Sequence, residues 1–225
     1  MRTIFATRRE AGVRLPTKLT SYANRADVLI LALPRGGVPV AYEVARALHA
    51  PLDVFIVRKL GVPGYEELAM GAIATGGVLV LNRDIVTAMR ISQHAIDAVA
   101  RREQEELERR EHMYRGDRLN PAVEGRAVIL VDDGLATGSS MRAAVVALRQ
   151  MRPSRLIVAV PVGAPETCDE FRAEADEVIC AIMPQQFVAV GAWYADFSQT
   201  SDEEVRDLLQ RAAAYEHDGP QHLAL

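Results

Sequence analysis

Residues 128–140 read VILVDDGLATGSS, and the order of chemistries within them decides the fold. Val128 to Val131 form an unbroken apolar run of the kind that is buried on both faces in a parallel sheet. Two adjacent carboxylates, Asp132 and Asp133, close the run, and the chain turns at Gly134. Met141 to Met151 (MRAAVVALRQM) then has the spacing of an amphipathic helix. The stretch therefore joins the carboxyl end of a buried strand to the start of a helix.

The first turn of such a helix offers unpaired N–H groups and a positive dipole end, which favour a phosphate. Thr137, Ser139 and Ser140 add hydroxyl donors, and Ala136 and Gly138 let the backbone come close to a ligand. The same hydroxyls would serve equally well as helix caps. Asp132 and Asp133 would repel a phosphate held against them, and desolvating two neighbouring carboxylates is costly without donors or a cation. One ligand that carries both chemistries removes the conflict. A ribose 5-phosphate has vicinal hydroxyls to donate to the acids and a phosphate several ångströms away, and a divalent cation near the acids would help further.

Along the whole chain, strands are expected at 27–33, 52–57, 127–131, 155–160 and 177–182, and helices at 38–49, 140–151 and about 165–174. Strands alternating with helices imply a parallel, Rossmann-like α/β sheet with right-handed crossovers. The chain reads as one domain over 1–225, with a core at about 27–182, an insertion at about 61–120 and a C-terminal hood and helix at about 184–216. Within the insertion, ELAMGAIAT and VLVLN flank Gly76-Gly77 and suit a hairpin. Residues 92–115 then predict a charged helix with a narrow apolar stripe of Ile96, Val99, Leu107 and Tyr114. That helix reads as solvated and laid on the domain, with a homodimer contact as the alternative. Pro16 should break the helical segment 8–22, and Ser201 to Glu204 read as a capping box.

With 225 residues and 49% hydrophobic composition there is ample material for a core. A formal charge of −4 argues against nucleic acid as the main partner. Cys168 and Cys180 lack metal-ligand spacing and read as buried small hydrophobes, and the five histidines show no HxH or HExxH pattern. The opening MRTIFATRREAGVRLP has no apolar signal-peptide core and no run approaches membrane-spanning length, so a cytoplasmic location with no membrane partner is expected.

In open α/β sheets ligands bind beyond the carboxyl ends of the strands, so the loops after the other strands should face Asp132 and Asp133. LPRGGVPV at 33–40 brings Arg35 beside the exposed backbone of Gly36 and Gly37, a second anion site. VRKLGVPGYEE brings Arg58 and Lys59 out of the sheet together. A monophosphate on one side, a diol in the middle and a denser anion on the other is the charge layout of phosphoribosyl pyrophosphate.

VILVDDGLATGSS closely resembles the signature of the type I phosphoribosyltransferases, LPRGG is similar to their pyrophosphate loop, and VRK resembles the basic residues after their second strand, in the same order. The resemblance spans about 27–182 and is strongest to bacterial phosphoribosyltransferases of unassigned acceptor. It implies that Asp132 and Asp133 act in catalysis, contacting the ribose hydroxyls directly or through water on Mg²⁺, and holding Mg²⁺ through those hydroxyls or water. It assigns the 5-phosphate to Ala136, Thr137, Gly138, Ser139 and Ser140, and the pyrophosphate to Arg35, Gly36, Gly37, Arg58 and Lys59. It further implies a cis peptide in the loop from Pro34 to Gly37, which nothing in the residues themselves indicates.

The implied reaction is Mg²⁺-dependent displacement of pyrophosphate from C1 of the ribose by a nitrogen of a nucleobase-like small molecule. Departures bear on the acceptor. Hypoxanthine-guanine members carry an acid where this chain has Ala136, and the lysine they place on the purine carbonyl has no counterpart in PVGAPE. FVAVGAWYADF loosely resembles their base-binding hood and singles out Phe187, Trp193 and Asp196, which would serve equally as core. The alternative function is a non-catalytic sensor that binds phosphoribosyl pyrophosphate or a nucleotide. A phosphoacceptor receiver is disfavoured because Arg35 and Arg58 stand where its acceptor aspartate would lie, and a P-loop kinase is excluded by the absence of GxxxxGK[ST].

Overall fold

Two apolar runs, VLILA and AVILV, lie side by side at the centre of the molecule, and all five residues of each are buried. The structure, a computed structural model, describes residues 5–217. In chain order its elements are α1 (Arg8–Arg14), β1 (Val28–Ala32), α2 (Gly37–Leu48), β2 (Leu52–Val54), β3 (Val57–Val62), β4 (Tyr65–Ala74), β5 (Val78–Leu81), α3 (Arg83–Ala88) and α4 (Gln93–Arg115). They continue with β6 (Ala127–Val131), α5 (Ser139–Gln150), β7 (Arg155–Val162), α6 (Pro165–Phe171), β8 (Glu177–Ile182) and α7 (Asp202–His217).

The main sheet has the order β2-β1-β6-β7-β8, parallel throughout. Alternate strand residues point to opposite faces. Leu29, Leu31, Val128 and Leu130 meet Met141, Ala144 and Leu148 of α5 on one side. Ile30, Ala32, Ile129 and Val131 meet Val38, Ala41 and Ala45 of α2 on the other. Each such side chain contributes about 1.5–3 kcal/mol by leaving water. The fold is the expected Rossmann-like α/β arrangement of a parallel sheet between helices.

The second expected strand is shorter than its hydrophobicity suggests. It ends at Val54, and the chain then enters β3 of a separate antiparallel sheet, β3-β4-β5. The hairpin expected around Gly76-Gly77 is β4-β5, and both glycines turn with positive φ (+81° and +72°). Arg58 and Lys59 therefore sit on a paired strand and not in an open loop, a correction to the expected geometry.

Helix α4 begins at the Ser92 cap and buries Ile96, Val99, Leu107 and Tyr114, as its stripe predicts. Glu103 and Arg115 are buried with them. Arg115 donates Nε to Asp53 (2.8 Å) and Nη1 to Asn120 (2.7 Å), so the charge that α4 takes out of water is compensated. At the amino end, α1 gives way at Pro16 to a 3-10 turn over Leu15–Lys18. Ser201 Oγ accepts the Glu204 N–H (3.1 Å) at the start of α7.

The cysteine reading needs correction. Cys168 is buried, but it is joined to Cys180 by a disulfide between α6 and β8. Gly163 makes room for it, because a Cβ there would run into the Cys168 sulfur. No helix among the described residues is long and apolar enough to cross a membrane.

Candidate active site

The strand order reverses direction between β1 and β6, and the crevice at such a switch point is where open α/β sheets bind ligands. Two loops meet there, the one after β1 with Gly36 and Gly37 and the one after β6 with the acid pair. A Cβ on Gly36 would overlap Asp133 Oδ2, and one on Gly37 would lie 2.7 Å from the Val131 carbonyl. Absence of both side chains lets α2 start against the acids. The peptide from Pro34 to Arg35 is cis, as the family resemblance implies.

Asp132 Oδ1 accepts the Asp133 N–H (2.8 Å), and Asp133 Oδ2 accepts Arg8 Nε (2.7 Å). Burial, followed by the charge of Asp133, pushes the Asp132 carboxyl well above its ordinary range. Burial also raises Asp133, and the Arg8 guanidinium offsets part of that. The pair is thus held in a state that a diol, a cation or both would relieve.

Five residues on, Gly138 adopts φ +69° and caps α5 with no side-chain hydrogen bond. Thr137, Ser139 and Ser140 are exposed, so their hydroxyls are not consumed as the cap of this helix. The loop is braced from behind by α6. Thr167 Oγ1 donates to the Ala136 carbonyl (2.7 Å), and the Phe171 ring fills the space a Gly138 side chain would need. Thr167→Val should therefore destabilise the protein by about 1 kcal/mol, read by urea unfolding.

Strand alternation separates the two cations expected to act together. Arg58 faces α4 and gives Nε and Nη2 to Glu103 (2.9 and 2.6 Å), so its guanidinium is already engaged. Lys59, on the opposite face, is exposed and shares a cavity of about 390 Å³ with Ser139, Arg142 and Asn82. Arg35 lies 3.7 Å from Asp202 at the start of α7.

Of the residues singled out in the hood, Trp193 is buried with Phe5, Ala11, Val162 and Tyr194, and Phe187 packs against that cluster. Asp196 is exposed and accepts the Ser198 N–H (2.9 Å). The hood residues that reach the acid pair are different ones. The Tyr194 hydroxyl donates to the Asp133 carbonyl (2.6 Å), and Phe197 lies under the Arg8 guanidinium at 3.9 Å. Arg8 carries no sequence signal for this place, since its partner is 125 residues away.

Among the described residues no three His, Cys, Asp or Glu side chains gather to cage a metal. Two neighbouring carboxylates do suit Mg²⁺, which keeps several waters and is usually shared between one or two acids and substrate phosphates.

The model of the phosphoribosyl transferase domain family matches residues 11–196. Two Mycobacterium tuberculosis proteins, "Putative phosphoribosyl transferase MT0597" of strain CDC 1551 / Oshkosh and "Putative phosphoribosyl transferase Rv0571c" of strain H37Rv, are each 46% identical over 209 residues. The match covers 93% of this chain and 47% of theirs, so the chain spans about half the length of these curated relatives. The crystal structure of TT1426 from Thermus thermophilus superposes with a TM-score of 0.82 at 44% identity, covering 94% of this chain and 99% of that one.

Proposed function

This chain belongs to the phosphoribosyl transferase domain family, and from that membership we propose that it transfers a 5-phosphoribosyl group from phosphoribosyl pyrophosphate to a nitrogen acceptor. The observation that carries the reading is the loop after β6. It places two carboxylates short of donors and an uncapped helix start with free hydroxyls on one continuous stretch at the switch point.

In this reading the 5-phosphate lies against Ala136 to Ser140, bound by backbone N–H groups and by the hydroxyls of Thr137, Ser139 and Ser140. Asp132 and Asp133 accept hydrogen bonds from the ribose diol and fix the ring. Gly36 offers its backbone N–H to the pyrophosphate, while the Gly37 N–H is already given to the Leu33 carbonyl (3.0 Å); Arg35 and Lys59 are the cations, and Arg58, held by Glu103, is left out. The acceptor nitrogen attacks C1 as the bond from C1 to the pyrophosphate oxygen breaks, pyrophosphate leaves with the electron pair, and the proton of the acceptor nitrogen passes to the departing pyrophosphate or to water. The acid pair stabilises the positive charge that develops on the ring, so positioning and electrostatics supply most of the rate. Asp132 and Asp133 would hold Mg²⁺, through ribose hydroxyls or water, and the ion would supply charge neutralisation of the leaving group. The acceptor enters from the hood side, past Tyr194 and Phe197, and it is a base that needs neither an acid at position 136 nor a lysine after β7.

The test is incubation with phosphoribosyl pyrophosphate, Mg²⁺ and a panel of nucleobases, following pyrophosphate release and thermal stabilisation together. Release with one acceptor is the expected result. Stabilisation without release for any acceptor would favour a sensor, and neither response would sink the reading.

A further inference from the structure

Arg8 joins three segments that are remote in sequence. Its Nε donates to Asp133 Oδ2 (2.7 Å), its Nη1 donates to the Ser198 carbonyl (2.6 Å), and its guanidinium stacks 3.9 Å from the centre of the Phe197 ring. Only 12% of its side chain is exposed, against 14% of that of Asp133. Among the described residues no other cation forms an ion pair with either acid. The backbone on both sides is fixed. Phe5 N–H donates to the Trp193 carbonyl (2.8 Å), Ala195 N–H to the Phe5 carbonyl (2.8 Å) and Asp196 N–H to the Ala6 carbonyl (3.0 Å), so the segment at Phe5 and Ala6 is laced to the hood. Gly12 lets α1 lie close on α2, with a Cβ there only 2.7 Å from the Val40 carbonyl.

Such a contact does more than tie down a terminus. Asp133 is anchored by its carbonyl through Tyr194, by its N–H through Asp132 and by one carboxylate oxygen through Arg8, which leaves its Oδ1 for a ligand. A surface arginine pairing with an exposed acid contributes little and would fix nothing. Here the pair is largely screened from water, charge-assisted and oriented by a second hydrogen bond and a stacked ring.

We infer that Arg8 is a positioning residue for the ribose-diol end of the site. It fixes the rotamer of Asp133 and links that acid to the hood at Ser198, so the diol and acceptor ends are held by one side chain. The inference rests on the proposed phosphoribosyl reading and deepens it.

The test separates diol from phosphate by measuring affinity for ribose 5-phosphate and for methyl phosphate, which lacks the diol, in wild type, Arg8→Ala and Arg8→Lys. For Arg8→Ala the expected result is a loss of about tenfold or more for ribose 5-phosphate and a change of less than about twofold for methyl phosphate. Arg8→Lys should recover part of the loss, because it restores the charge without the fork to Ser198. Should Arg8→Ala fail to fold, the same ligand contrast in Arg8→Lys decides the matter. Unchanged ribose 5-phosphate affinity, or an equal loss for both ligands, would overturn the positioning role. A wild type that binds neither ligand would overturn the functional reading itself and this inference with it.

Discussion

Asp132→Asn with Asp133→Asn is expected to abolish binding of phosphoribosyl pyrophosphate, whereas Asp132→Asn alone, which keeps the Arg8–Asp133 ion pair, is expected to raise the melting temperature of the ligand-free protein. Each ribose hydroxyl gives up a hydrogen bond to a charged acceptor, worth about 1.5–3 kcal/mol, so affinity should fall by about a hundredfold or more. Stability should move the other way. Both carboxyls are raised above their unfolded-state value, so between the two values the folded state binds more protons than the unfolded one. Stability of the ligand-free, Mg²⁺-free protein then falls as pH rises through that window, and the penalty is complete above it. Asparagine at 132 can still accept the Asp133 N–H, yet carries no charge to desolvate. A gain of about 1 kcal/mol corresponds to about 2–4 °C for a chain of this size. Thermal melts of Asp132→Asn across pH check the stability part, and calorimetric titration of the double variant the binding part: Asp132→Asn should flatten the slope, and a melting temperature below wild type at neutral pH would contradict the burial argument.

Gly36→Ala should disable the same site from the opposite wall. The backbone at Gly36 has φ −60° and ψ −31°, which any residue can adopt, so glycine is needed there for space and not for conformation. A new methyl would overlap Asp133 Oδ2, the oxygen that Arg8 holds. Either the carboxylate leaves Arg8 or α2 shifts at its first turn. The expected outcome is a loss of donor affinity approaching that of the acid double variant, with about 1–3 kcal/mol of destabilisation. Calorimetric titration alongside urea unfolding separates the two effects. Wild-type affinity in a folded Gly36→Ala protein would show that the position of Asp133 is not what the ligand senses.

The parts of this molecule legible in sequence are those set by local pattern. β1 and β6 announce themselves because strands buried on both faces must be apolar at every position, and α4 because its few apolar residues recur at helical spacing. The acid pair and the small-residue loop after it are legible because strand end, acids, turn and helix start lie within thirteen consecutive residues. Contacts between distant segments are not encoded that way. VRK does not say that β2 ends at Val54 or that Arg58 turns to Glu103, because the pairing of β3 with β4 decides which side chain faces which wall. Trp193 is hood by composition and core by packing, since only the fold brings Phe5 and Val162 against it. Arg8 and the bond between Cys168 and Cys180 depend on the same kind of tertiary placement.

The central claim is that one ligand spans the acid pair and the helix start, diol at one and phosphate at the other. Calorimetric titration of phosphoribosyl pyrophosphate into the protein with Mg²⁺ tests it most directly. The account predicts saturable binding of one molecule per site, displaced by ribose 5-phosphate. Absence of binding by both ligands would contradict it.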